Sequence, residues 1–163
     1  MRIYGVVGYK NAGKTWLMER LVTEITQRGC SVSTLKHAHH AFDIDQPGKD
    51  SFRHRDAGAH QVLLASRARW ALMTELRDTD EPPLADLLAR LDPVDLVLVE
   101  GYKRDNHPKG EAHRATTGNP ILAHDDPTVR AIASDTDITL DRPVFDLNDT
   151  KAIADFILAE VGL

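Results

Sequence analysis

Hydrophobic positions along this chain switch between two spacings, and the switches mark its elements. Residues 2–7 hold Ile3-Tyr4-Gly5-Val6-Val7, an apolar run of strand length. Across 16–28, Leu17, Leu21 and Ile25 recur four apart with Val22 beside them, and Gly29 follows. That is an amphipathic helix with a C-terminal stop. Residues 31–36 read as a second strand, and 37–59 as a long polar loop with room for a short helix around 50–56. The runs 61–65 and 70–74 flank Ser66-Arg67-Ala68-Arg69 and predict a β-hairpin. Pro82-Pro83 opens a helix with Leu84, Leu87, Leu88 and Leu91 on one stripe. Residues 95–100 form an apolar strand, and 101–118 read as polar and irregular. Two short strands are expected at 120–124 and 129–134, and a last one at 144–147. A final helix starts near Asn148 or Asp149 and carries Ile153, Phe156, Ile157 and Val161. Strands alternating with helices predict an α/β fold, with a mainly parallel sheet and a β-hairpin extension.

Between the first strand and the first helix lies Gly8-Tyr9-Lys10-Asn11-Ala12-Gly13-Lys14-Thr15. It fits the phosphate-binding pattern G-x-x-x-x-G-K-[ST] at every fixed position, in the strand–loop–helix setting the motif requires. A random chain of this length matches about once in 200. Gly8 and Gly13 let the backbone turn with its N–H groups inward, toward a polyphosphate at the positive end of the helix. Asn11 and Ala12 complete the cradle, Lys14 reaches the outer phosphates, and the Thr15 hydroxyl is a ligand for Mg²⁺. The expected architecture sharpens to a P-loop NTPase-like, three-layer fold.

Composition narrows the function. The 163 residues suit one domain, 1–163, and charged residues make up 28%. The formal charge of −5 disfavours broad binding to nucleic acid or to an anionic membrane. Cys30 is the only cysteine, which excludes an internal disulfide and a cysteine-based structural zinc site. No signal-peptide pattern or membrane-length apolar run occurs, so a cytoplasmic protein is expected.

A phosphate-binding loop needs an acidic residue at the end of a neighbouring strand to hold Mg²⁺. Leu96-Val97-Leu98-Val99-Glu100 supplies it, with Glu100 at the C-terminal end where ligands bind in open α/β sheets. Asp95 starts the same strand and belongs at the opposite end. No N-K-x-D guanine reader is present. Asp135, after the strand at 129–134, is placed to accept hydrogen bonds from a guanine edge. Asn148 and Asp149 are placed similarly but read first as a helix cap.

The run Lys36-His37-Ala38-His39-His40-Ala41-Phe42-Asp43-Ile44-Asp45 opens the long loop. Its position after the second strand is where switch loops meet a terminal phosphate. Lys36, His37, Lys49, Arg53 and Arg55 suit anions, whereas His37, His39 and His40 with Asp43 and Asp45 suit a transition metal. The spacing matches no structural zinc pattern.

These blocks together resemble the MobB family, the molybdopterin-guanine dinucleotide biosynthesis adaptor proteins. The resemblance rests on residues 8–15, on Lys36-His37-Ala38-His39-His40, and on Asp45-Gln46-Pro47-Gly48-Lys49-Asp50-Ser51. It continues through Ala57-Gly58-Ala59, Arg69-Trp70-Ala71-Leu72-Met73 and Leu98-Val99-Glu100-Gly101-Tyr102-Lys103, to Ala133-Ser134-Asp135 and Asp146-Leu147-Asn148-Asp149. The resemblance implies a homodimeric P-loop protein that binds GTP with Mg²⁺ and is a weak GTPase at most. It implies a guanylyltransferase partner (MobA-like) that joins GMP to Mo-molybdopterin. It also implies that Lys36, His37, His39, His40, Lys49, Asp50 and Arg53 contact the pterin or its phosphate. Two departures stand out. Trp16 follows Thr15 where a small or hydroxyl residue is common, and 110–114 makes a poor strand because Gly and Ala suit strands badly. The alternatives are a small-molecule kinase, with Arg104 and Arg114 as lid arginines, and a metallochaperone GTPase using the histidines.

Overall fold

Strand β5 (Leu96–Glu100) is the most deeply buried run of the chain, with Leu96 through Val99 at 0% exposure. Its side chains alternate between two cores, as a strand covered on both faces requires. Leu96 and Leu98 join a cluster with Tyr4, Val6, Leu17, Leu21, Ile25 and Ile157. Val97 and Val99 join Leu84 and Leu88 on the other side.

The computed structural model describes residues 1–38 and 42–163. Around β5 it arranges β1 (Arg2–Val7), α1 (Lys14–Gln27), β2 (Val32–Lys36) and α3 (Leu84–Leu88). Further on come β6 (Lys109–His113), β7 (Val129–Ser134), β8 (Val144–Asp146) and α4 (Thr150–Val161). The six strands pair in the order β2-β5-β1-β6-β7-β8, and every pairing is parallel. Helices α1 and α4 supply one covering layer, through Leu17, Leu21, Ile25, Ile153 and Ile157. The leucines of α3 belong to the opposite layer. This is the expected α/β fold. Burying each large apolar side chain of α1 contributes about 1.5–3 kcal/mol, which holds the helix at a fixed angle behind the phosphate-binding loop.

The chain divides into two compact units, residues 1–37 with 84–163, and residues 38–83. The second unit contains α2 (Asp50–Asp56) and the antiparallel hairpin of β3 (Gln61–Ala65) and β4 (Trp70–Thr74), as the alternation predicts. Arg55 organises it, bonding to Asp43 at 2.9 Å, Asp45 at 2.6 Å and Glu75 at 2.9 Å.

Two expectations need correction. Residues 109–113, expected as irregular or at best a weak strand, form β6 between β1 and β7 in the middle of the sheet. Its buried face is polar. Lys109 donates to the Asp105 carbonyl and to Thr128 Oγ1. Glu111, 1% exposed, accepts N–H bonds from Leu122 and Ala123, both at 3.0 Å. The opposite face is small where a larger residue would collide, since a Cβ on Gly110 would lie 3.3 Å from the Tyr4 hydroxyl. Residues 120–124, expected as a strand, instead contain a 3-10 turn at Leu122–His124. The Glu111 carboxylate fixes that turn by taking its first N–H groups.

Candidate functional site

Strand β1 ends at Val7, and the phosphate-binding loop begins as the chain leaves the sheet. Gly8 passes so close to β6 that a Cβ would lie 2.4 Å from the Ala112 carbonyl oxygen, which excludes any side chain there. Asn11 adopts a left-handed conformation with φ 66, and Ala12 is buried, its N–H donating to the Tyr9 carbonyl at 3.3 Å. Gly13, left-handed with φ 92, caps α1 without any side-chain bond to the first-turn N–H groups. Those donors therefore remain for an anion at the positive end of the helix dipole. Lys14 is the first residue of α1, and its Nζ donates to the Tyr9 carbonyl at 2.7 Å, across the loop. Thr15 is exposed on the first turn.

Glu100 ends β5 in register with Val6 of β1, and the N–H of Gly101 donates to the Val6 carbonyl. The acidic residue is thus one strand away from the loop, as expected. Its carboxylate, 11% exposed, meets Lys36 Nζ at 3.3 Å. Burial lowers the pKa of Lys14; Glu100 opposes this, and Lys103 and Lys36 add to it. Lys103 Nζ also lies 4.4 Å from the centre of the Tyr9 ring, which places it at the loop. Three lysines and one glutamate therefore surround the β5 side of the loop. Thr15 and Glu100 offer a hydroxyl and a carboxylate, hard oxygen donors of the kind Mg²⁺ takes. Asp95 lies at the opposite end of β5, where its carboxylate accepts from Ser31 N at 2.8 Å and Ser31 Oγ at 2.6 Å.

On the other side of the loop, Asp135 follows β7, and its Oδ1 accepts from the Ala115 N–H at 2.9 Å. Asp149 caps α4, accepting from Ala152 N at 3.0 Å, so the cap reading describes what it does here. His37 stacks on Tyr102, ring centres 4.7 Å apart. Lys49, Asp50 and Arg53 lie at the start of α2 or on it, exposed, in the second unit. His39 and His40 fall outside the described residues. Among the described residues no group of three or more histidine, cysteine or acidic side chains gathers as a metal site.

The family described as "Molybdopterin guanine dinucleotide synthesis protein B", MobB, matches residues 3–135. The chain is 42% identical to a molybdopterin-guanine dinucleotide biosynthesis adapter protein of Haemophilus influenzae, over 95% of this chain and 86% of that one. It is 41% identical to the adapter protein of Escherichia coli, over 92% of this chain and 87% of the relative. The crystal structure of Bacillus subtilis MobB superposes with a TM-score of 0.76 at 25% identity, covering 99% and 98% of the two chains. That of the MobB homologue from Bacillus stearothermophilus gives 0.71 at 29% identity, covering 99% of each. The chain belongs to the MobB family.

Membership connects the protein with molybdenum cofactor biosynthesis. Within a MobB chain the departure at Trp16 has a local explanation. The ring is 44% exposed, and the Arg20 guanidinium lies 3.6 Å from its centre. Arg20 also donates to the carbonyls of Leu147 at 2.6 Å and Asn148 at 3.0 Å, tying α1 to the turn before α4. The sequence pattern gives Lys103 no role of its own, although it stands three residues after Glu100 at the end of β5. From the sequence, Arg114 is weighed only as a kinase lid residue, because the strand it follows reads as weak.

Proposed function

We propose that this protein is a GTP-binding accessory factor that assists attachment of GMP to Mo-molybdopterin beside a guanylyltransferase partner. The observation that carries the reading is the loop itself: an uncapped helix N-terminus with left-handed Gly13 before it, Lys14 across its mouth, and Glu100 one strand away. Backbone N–H groups of residues 8–15 hold the phosphates, and Lys14 leaves the Tyr9 carbonyl to bond the outer ones. Thr15 and Glu100 are the residues that would hold Mg²⁺. When bound, magnesium would supply positive charge that offsets the charge of the phosphates. Asp135 keeps its second carboxylate oxygen for the guanine edge. No side chain is assigned as a catalytic base, so hydrolysis is weak at most. The family resemblance assigns Lys36, His37, His39 and His40 to the pterin or its phosphate, and, taken by themselves, Lys49, Asp50 and Arg53 of the second unit. The protein works as a homodimer.

Calorimetry tests the nucleotide site. With Mg²⁺ present, GTP is expected to bind, ATP to bind more weakly, and Lys14→Ala to abolish GTP binding while the circular dichroism spectrum stays unchanged. Equal affinity for the two nucleotides would remove the guanine assignment. Unchanged GTP affinity in Lys14→Ala would remove the site.

A further inference from the structure

Arg114 follows β6 directly and lies against the phosphate-binding loop. A Cβ added to Gly13 would be 3.1 Å from Arg114 Nε and 3.4 Å from its Nη2. Leu147 Cδ2 lies 3.5 Å from the same point, so the guanidinium shares the surroundings of Gly13 with the turn before α4. Its Nε is buried without a hydrogen-bond partner. Among the described residues no carboxylate forms an ion pair with it. A permanently charged group is thus held beside the positive end of α1, with no ion-pair partner among the described residues. The positive end of the helix dipole disfavours a cation there, and a buried N–H left unpaired is unfavourable. An anion seated in the loop removes both penalties at once.

The sheet order tells which part of the anion that is. Strand β1 lies between β5 and β6. Glu100, Lys36 and Lys103 gather on the β5 side, and Arg114 with Asp135 on the side of β6 and β7. A polyphosphate in such a loop has its outer phosphates at the lysine and the metal-binding acid, and its inner phosphates on the backbone N–H groups. We propose that Arg114 binds the α-phosphate, and so holds a nucleotide independently of whether the γ-phosphate is present. This rests on the nucleotide reading above and adds a residue to it. The inner phosphate is also the one retained when a nucleoside triphosphate loses its outer phosphates, so Arg114 would keep hold of both the di- and the triphosphate.

The test uses the full chain with GTP and GDP in separate titrations, for the unaltered protein, Arg114→Met and Arg114→Lys, together with thermal melting without nucleotide. Arg114→Met is expected to weaken GTP and GDP by the same factor, about tenfold or more for a lost charge-assisted bond. Arg114→Lys is expected to restore part of the loss. The nucleotide-free melting temperature of Arg114→Met should be no lower than that of the unaltered protein, because the change removes an unpaired buried N–H and a charge at the positive end of α1. A merely structural arginine would lower it. A loss confined to GTP would overturn the assignment by placing Arg114 at the γ-phosphate. Should Arg114→Met fail to fold, Arg114→Lys decides: a common loss for the two nucleotides supports the proposal, and unchanged affinity for both overturns it. If the unaltered protein binds neither nucleotide, the functional reading itself has failed. If it binds both and Arg114→Met binds them as tightly, only the role of Arg114 has.

Discussion

Lys36 and Glu100 set up a competition at the mouth of the loop. The lysine occupies the carboxylate proposed for magnesium, at 3.3 Å and with its own side chain 58% exposed. The lysine end of the pair is open to solvent, so a divalent ion with phosphate oxygens behind it displaces the lysine. Lys36→Met should therefore lower the magnesium concentration that gives half-maximal enhancement of GTP binding, by about two- to fivefold. Glu100→Gln should abolish that enhancement and leave binding in EDTA nearly unchanged. Magnesium titrations monitored by calorimetry separate the two effects. If Lys36→Met leaves the half-maximal concentration where it was, the two cations do not compete. Equal loss in EDTA for Glu100→Gln would make the glutamate structural. This part of the site was legible from residue identity. Gly8, Gly13, Lys14, Thr15 and Glu100 each have a side chain, or lack one, for a reason that survives without knowing the neighbours.

Strand β6 shows where legibility stops. Its residue pattern inverts the usual one, with charge toward one packed face and Gly110 and Ala112 toward the other. Local propensity counts against such a strand, and only partners far along the chain make it favourable. These are Tyr4 over Gly110, Thr128 for Lys109, and the turn at 122–124 for Glu111. The same missing information turned 120–124 into an expected strand, since nothing in Ile121-Leu122-Ala123 announces that a carboxylate waits for its N–H groups. It also hid the place of Arg114, which follows a strand that reads as weak. The dependence is testable. Glu111→Ala leaves one buried and one part-buried N–H group unpaired, at about 1–3 kcal/mol for the buried one, and opens space below the turn. Chemical denaturation should show a loss of about 2–5 kcal/mol in unfolding free energy. A loss under 1 kcal/mol would mean that the turn forms without the carboxylate.

At the scale of the whole molecule, the hairpin of the second unit is the feature a single copy explains least. Two-stranded hairpins are marginal on their own in water. Within the described residues, β3 and β4 pair only with each other, which leaves both outer edges without a strand partner. They expose several large apolar side chains: Leu63 is 60% exposed, Leu64 40%, Trp70 65% and Leu72 42%. Unpaired edges and adjacent exposed apolar residues invite a further strand, and a second copy of the same hairpin supplies an equivalent edge. The proposed homodimer therefore predicts a solution mass of twice 18.1 kDa by light scattering at micromolar concentration. Trp70→Glu, which places a charge in the apolar stretch, is expected to return the mass to that of one chain while the circular dichroism spectrum keeps its α/β shape. Leu63→Lys provides an independent check on the neighbouring strand, directly opposite Leu72 in the hairpin register. A single-chain mass for the unaltered protein would contradict the dimer. A dimer that persists in both variants would move the interface away from the hairpin.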